Sequence, residues 1–237
     1  MNNFILKLYL EINNSSYIFF VGKYYENEDF ELIHKLEVPL DGIENNRISD
    51  FEKSFNPINK NLYLIEDQFN YSFKEIILEN FNLSFINITG YKNLNGSQIL
   101  RENITYILNT LKSCVDETET KKNILHIFNS EFYLDNKKIE NLPIGLFGDF
   151  YSHELSFILI DKNNYKNLKN IFDKCNLKVQ KILSKSFIRG ANISDNYKNF
   201  RTIYNKGLDN ISHPDIKLEN KGHLADTILR HIIINYN

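Results

Sequence analysis

Few residues in this chain are spaced for side-chain chemistry. The six histidines, His34, His126, His153, His213, His223 and His231, are scattered, and none has a second ligand three or four residues away on a helix. They read as structural residues, and no metal site is expected. His153 and Glu154 could resemble an acid–base pair, but neighbours on a strand point to opposite faces and cannot share a site. Ser152, Ser184 and Ser186 lack the Gly-x-Ser-x-Gly turn that exposes a nucleophile. Cys114 and Cys175 each end a helical stretch with no metal-ligand spacing around them, and are expected to be buried thiols in a reducing compartment.

One loop has a defined physical sense. In Leu142-Pro143-Ile144-Gly145-Leu146-Phe147-Gly148, Pro143 fixes its own φ and drives Leu142 to an extended conformation, while Gly145 and Gly148 permit φ > 0. The segment is expected to be a rigid crossover. An ordinary wide loop carries the same residue types, and on the spacing alone that reading is favoured.

Around these residues the chain alternates strands and helices. Phe4 to Ile12, Tyr17 to Lys23 and Phe30 to Val38 are β-like runs, with Asn13-Asn14-Ser15 and Glu26-Asn27-Glu28-Asp29 as turns, so a three-stranded meander is expected. Ser49 or Asp50 could cap a short helix around Phe51 to Ser54, and a weak helical pattern follows from Asn61 to Tyr71. Phe73 to Leu78 and Leu83 to Ile88 read as strands, with Thr89-Gly90 ending that unit.

Asn103 is the expected N-cap of an amphipathic helix from Ile104 to Val115. Asn123 to Phe128 and Glu131 to Ile139 follow as strands with a turn at Asp135-Asn136, and His153 to Ile160 as a central strand. Asn164 is expected to cap a second helix that ends at Asn176 in the left-handed conformation, before a last strand from Leu177 to Leu183. Both helices are expected on one face of a single compact sheet. From Ser194 to Gly222 the sequence is polar and aperiodic, and Leu224 to Tyr236 recovers a helical pattern.

The bulk properties exclude several classes. The 237 residues, 42% hydrophobic and 14% aromatic, can build a sizeable core. Lys+Arg 28 against Asp+Glu 30, evenly mixed, leaves no basic block for phosphates, which disfavours nucleic-acid binding. The first ten residues are too mixed for a signal peptide and no run spans a membrane, so a cytoplasmic protein is expected. Sequon-like triplets such as Asn87-Ile88-Thr89 then carry no glycosylation reading.

Residues 86–191 resemble the insertion subdomain of the FtsA family, the actin-like membrane tether of the bacterial division ring. The likeness lies in Ile86-Asn87-Ile88-Thr89-Gly90, Phe132-Tyr133-Leu134-Asp135-Asn136, the loop Pro143-Ile144-Gly145-Leu146-Phe147-Gly148 and Cys175-Asn176-Leu177-Lys178-Val179, in the family's order and spacing. The resemblance implies an α/β (α+β) fold: a partial actin-like, ribonuclease-H-like N-terminal subdomain over 1–85, the insertion over 86–191, and a divergent polar segment and C-terminal helix over 192–237.

The resemblance also places Leu10-Glu11-Ile12-Asn13-Asn14-Ser15-Ser16 where the family has an Asp-Ile-Gly-Thr-Ser phosphate loop. Glu11, Asn13, Asn14 and Ser15 are then the nucleotide-binding candidates. Glu11 is a methylene longer than Asp and Asn13 replaces Gly, and since Asn tolerates a left-handed conformation the loop is weakened rather than forbidden. The family's second, Gly-rich phosphate loop has no counterpart between Phe187 and Asn237. ATP hydrolysis is not expected, and no cofactor is assigned beyond ATP and Mg²⁺ at this eroded loop.

What the resemblance implies for function is a non-enzymatic division protein acting through protein contacts, with Pro143, Ile144, Gly145 and Gly148 as the interaction loop. Its partners would be division proteins and FtsA-like protomers. FtsZ, bound in the family mainly by a subdomain this chain lacks, is not among its expected main contacts. Two alternatives stay open: an actin-like ATP-binding protein, and a truncated fragment of a full-length FtsA. Leu224, Ile228, Leu229, Ile232 and Ile233 could lie on the inner face of the cell membrane at the division site, or dock on the core, which their few cations favour.

Overall fold

A computed structural model describes residues 4–26, 30–45, 47–80 and 83–186. The expected turn at 26–29 and the C-terminal segment from 192 lie wholly or mostly outside the described residues.

Alternating apolar residues make β1 (Phe4–Ile12) and β2 (Ser16–Tyr25), which with β3 (Phe30–Pro39) form the expected antiparallel meander. Leu8, Leu10 and Ile12 of β1 and Tyr17, Phe19 and Val21 of β2 point to one core, while Tyr9, Ile18 and Phe20 point to the other face of the sheet. A two-residue ribbon, β4 (Ile43–Glu44) and β5 (Arg47–Ile48), leads to the first helix.

That helix, α1, runs from Phe51 to Phe69. Asp50 caps it, its Oδ1 accepting from Lys53 N at 3.1 Å. The short helix expected at Phe51 to Ser54 and the helical pattern from Asn61 are therefore one element that passes through Pro57. A proline there forgoes a backbone bond at a cost of about 3 kcal/mol. Burial of Ile58, Leu62 and Ile65, at roughly 1.5–3 kcal/mol each, outweighs it. Asn70, at φ 46, ends the helix.

β6 (Glu75–Asn80) pairs parallel to β1, and the chain then leaves for a second sheet. There β7 (Leu83–Asn93), β8 (Lys122–Leu134), β9 (Lys137–Ile139) and β10 (Phe150–Asp161) form an antiparallel sheet in the order β7-β10-β8-β9. β8 and β9 are joined by a two-residue turn at Asp135 and Asn136, φ 50 and 63, as their Asp-Asn sequence suggested. Helix α2 (Arg101–Thr118) covers one face with Ile107, Leu108, Leu111 and Val115.

Two expectations change here. Gly90 does not end a unit: β7 continues past it to Asn93 because it stays paired with β10, Gly90 opposite His153 and Asn93 opposite Phe150. The glycine is there because α2 packs so closely that a Cβ would lie 2.5 Å from Ile107 Cγ2. Asn103 is not the N-cap but the third residue of α2, its Oδ1 accepting from Leu100 N at 2.7 Å.

From β10 the chain enters α3 (Lys162–Lys174), capped by Asp161, whose Oδ1 accepts from Asn163 N and Asn164 N at 3.0 Å. The cap expected at Asn164 thus sits three residues earlier. Asn176, at φ 57, ends the turn as its type suggested. The last strand, β11 (Lys178–Ser184), does not join the second sheet; it pairs parallel with β6, closing a five-stranded sheet in the order β11-β6-β1-β2-β3. α3 therefore belongs with α1 over the first sheet, its Leu168, Ile171 and Phe172 in the core shared with Ile58 and Leu62. Phe128, Ile158 and Ile160, from the second sheet, enter the same core.

Gly90→Ala is expected to destabilise the protein by about 1–3 kcal/mol through the clash with Ile107. Urea unfolding checks it, as a lowered midpoint at unchanged slope.

Candidate functional site

The phosphate-loop candidate is the tight turn between β1 and β2. Asn13 N donates to Ser16 O at 2.9 Å, and Ser15 O accepts from Leu40 N at 2.9 Å. Neither Asn13 nor Asn14 takes the left-handed conformation that would stand in for Gly. Of the four candidates, Glu11 and Asn13 are drawn together by Lys185, whose Nζ donates to Glu11 Oε1 and Asn13 Oδ1, while Asn14 and Ser15 are exposed at the tip. Lys185 was missed by sequence reasoning. A lysine 174 positions from Glu11 carries no local signal, and only the strand order puts the two together.

The second candidate is the loop from Pro143 to Gly148. Leu146 N donates to Pro143 O at 3.1 Å, and Gly145 at φ 90 takes the third position of that turn, where only glycine is unstrained. The loop lies along residues 94–99, which connect β7 to α2. Ile99 N donates to Leu146 O at 2.8 Å, Gly145 N to Ile99 O at 2.9 Å, Gly96 N to Gly148 O at 3.1 Å and Leu94 N to Asp149 O at 2.8 Å. Gln98 Nε2 adds a bond to Gly145 O at 2.8 Å. Asp135 Oδ1 holds the loop's exit by accepting from Asp149 N and Phe150 N at 2.9 and 2.8 Å.

The segment is thus tied down along its length, as expected of a rigid crossover, by bonds to residues 94–99 that the Pro-Gly spacing alone does not dictate. Gly148, however, has no positive φ: it is small because a Cβ there would lie 2.4 Å from Leu134 Cδ1. Pro143 is buried, whereas Ile144, Leu146 and Phe147 are 47%, 48% and 68% exposed, with Leu100 beside them at 50%. Rigid backbone with outward apolar side chains is an arrangement that suits contact with another protein.

The other reactive residues take structural positions. His153 is fully buried against Phe132, ring centroids 4.7 Å apart, while Glu154 lies on the opposite face of β10. Burial lowers its pKa to about 4, and neither ring nitrogen has a protein partner. His126 is likewise held below the ordinary histidine value by burial, and its Nε2 bonds Ile182 O at 2.8 Å, joining the second sheet to β11. Burial, and secondarily Glu66, pushes the Cys175 thiol up to about 11, so at neutral pH it is held as the thiol rather than the nucleophilic thiolate. Cys114 is exposed on α2, contrary to the burial expected for it, because the buried stripe of that helix passes through Leu111 and Val115.

No family model matches the chain. It is similar to the cell division protein FtsA of Buchnera aphidicola subsp. Schizaphis graminum (strain Sg), 23% identical over 177 residues that cover 73% of this chain and 42% of that protein. Among solved structures it superposes on a chain of the PilM-PilN type IV pilus biogenesis complex with a TM-score of 0.52 at 8% identity, covering 80% of this chain and 50% of that one. The cytoplasmic domain of EpsL, an inner membrane component of the type II secretion system of Vibrio cholerae, aligns at a TM-score of 0.37 and 10% identity, over 78% and 57%. The likeness to FtsA holds, as does the α/β fold with a partial actin-like sheet. The chain spans 42% of that FtsA's length and half of the pilus chain's.

Protonation of His153 gives a pH signature. The unfolded chain binds a proton near pH 6.5 and the folded chain not until about 4, so stability is complete above pH 6.5 and falls by up to about 3 kcal/mol as pH drops to 4. His126 acts in the same direction. Denaturant titrations across this window should show the slope, and His153→Phe should flatten it.

Proposed function

We propose that this chain acts in bacterial cell division, in assembly of the division ring, by protein–protein contacts rather than by turning over ATP. The observation that carries this reading is the loop from Pro143 to Gly148: its backbone is fixed by bonds to residues 94–99, and Ile144, Leu146 and Phe147 face solvent. Exposed apolar side chains on an immobile backbone lose little conformational freedom when covered, which favours association. The likeness to FtsA supplies the process, and the partners are division proteins and FtsA-like protomers at the inner face of the membrane.

A role without ATP hydrolysis draws support from the first turn, where Glu11 and Asn13 are engaged by Lys185 and the asparagines do not adopt the glycine-like conformation. Calorimetry of the purified chain with Mg-ATP is expected to show no saturable heat. Saturable, Mg²⁺-dependent binding would favour the nucleotide-binding alternative.

The contact surface can be altered without touching the bonds that fix the loop. Ile144→Ser with Phe147→Ser is expected to leave the melting temperature within about 2 °C of the parent, since exposed positions contribute little to stability. The same pair should abolish recovery of division proteins in pull-downs from dividing cells. Recovery of the same division proteins by both versions would remove the loop from the contact surface.

A further inference from the structure

Glu11 is 6% exposed and Lys185 3% exposed, so both charges of this pair are withdrawn from water. The sheet order β11-β6-β1 places β6 between the strands that bring them, and the lysine side chain reaches past the carboxyl end of β6 to the turn after β1. The carboxyl ends of parallel strands are where open α/β sheets place ligands. Here the turn presents a carboxylate oxygen and an amide oxygen, Glu11 Oε1 and Asn13 Oδ1, a hard-oxygen pair of the kind that binds a divalent cation. An ammonium rests on both.

We propose that Lys185 is the resident cation of this turn: it holds Glu11 and Asn13 with its own side chain, and a divalent cation can reach those two oxygens only when the lysine is removed. The inference deepens the reading that the chain works without nucleotide turnover and rests on it. The alternative source of a positive charge at such a turn, a metal ion delivered with phosphate, would need the same oxygens. Breaking a buried ion pair is strongly unfavourable, so this contact also ties the end of β11 to the end of β1.

The test compares the whole chain with Lys185→Met and with Lys185→Met combined with Glu11→Gln, by thermal melting in chelator and in Mn²⁺ on the order of 1 mM. Lys185→Met is expected to melt roughly 10 °C lower in chelator, because Glu11 loses the buried ammonium that faces it. Mn²⁺ should recover part of that loss, and electron paramagnetic resonance should show one bound Mn²⁺. The double variant should melt near the parent and ignore Mn²⁺, as should the parent itself.

The proposal is overturned if Lys185→Met melts with the parent, if Mn²⁺ stabilises the parent equally, or if the Mn²⁺ effect survives Glu11→Gln. Should Lys185→Met fail to fold, the double variant decides: a folded, Mn²⁺-insensitive double variant upholds the pair, and an unfolded one refutes it. Mg-ATP binding by the parent in calorimetry would sink the reading without nucleotide turnover while leaving these melting arms to judge Lys185 separately.

Discussion

The parallel pairing of β6 with β11 is the constraint on which the rest of the structure depends. Residues 75–80 and 178–184 lie side by side, so everything between them must leave the first sheet and return to the neighbouring position. A parallel crossover needs a covering element, and α3 provides it. The second sheet and α2 are lodged inside that crossover, between the end of β6 and the start of α3. Both ends of the inserted unit are thereby fixed to the same edge of the same sheet.

Burial completes what the pairing begins. β10 is one of the two inner strands of the inserted sheet: Leu155, Phe157 and Leu159 face α2, whereas Ile158 and Ile160 turn into the core built by β1, β2, α1 and α3. A strand buried on both faces cannot slip by one residue without exchanging two apolar sets. The bond from His126 to Ile182 O adds a polar tie between the sheets, and a neutral imidazole suits it because charging a buried ring is costly. The same closure carries Lys185 to Glu11, so the state of the first turn is a consequence of how the last strand is placed.

Local chemistry made much of this legible in the chain. Alternation in β1 and β2, the apolar stripes of α2 and α3, the Asp135-Asn136 turn and the left-handed Asn176 follow from period, propensity and backbone tolerance, all short-range properties. Where expectations moved, a distant contact had intervened. Core burial carried α1 through Pro57, pairing with β10 kept β7 going past Gly90, and Leu134 rather than a positive φ explains Gly148. The N-caps shifted by three residues at both Asn103 and Asn164 because side chains in the third helical position can be mistaken for the cap itself.

The sequence by itself determined most of the elements, the hydrophobic periodicity that gives each an inner face, the Pro and Gly of the loop and, through that loop and its flanking strands, the likeness to FtsA. Tertiary structure alone decided that β11 completes the first sheet rather than the second, that Ile144, Leu146 and Phe147 remain outside every core, and that a lysine closes the turn at Glu11 and Asn13. The reason is one of range. Periodicity and turn chemistry act over a few residues, whereas strand order and charge pairing join residues separated by about a hundred or more positions, for which no neighbouring residue carries a signal.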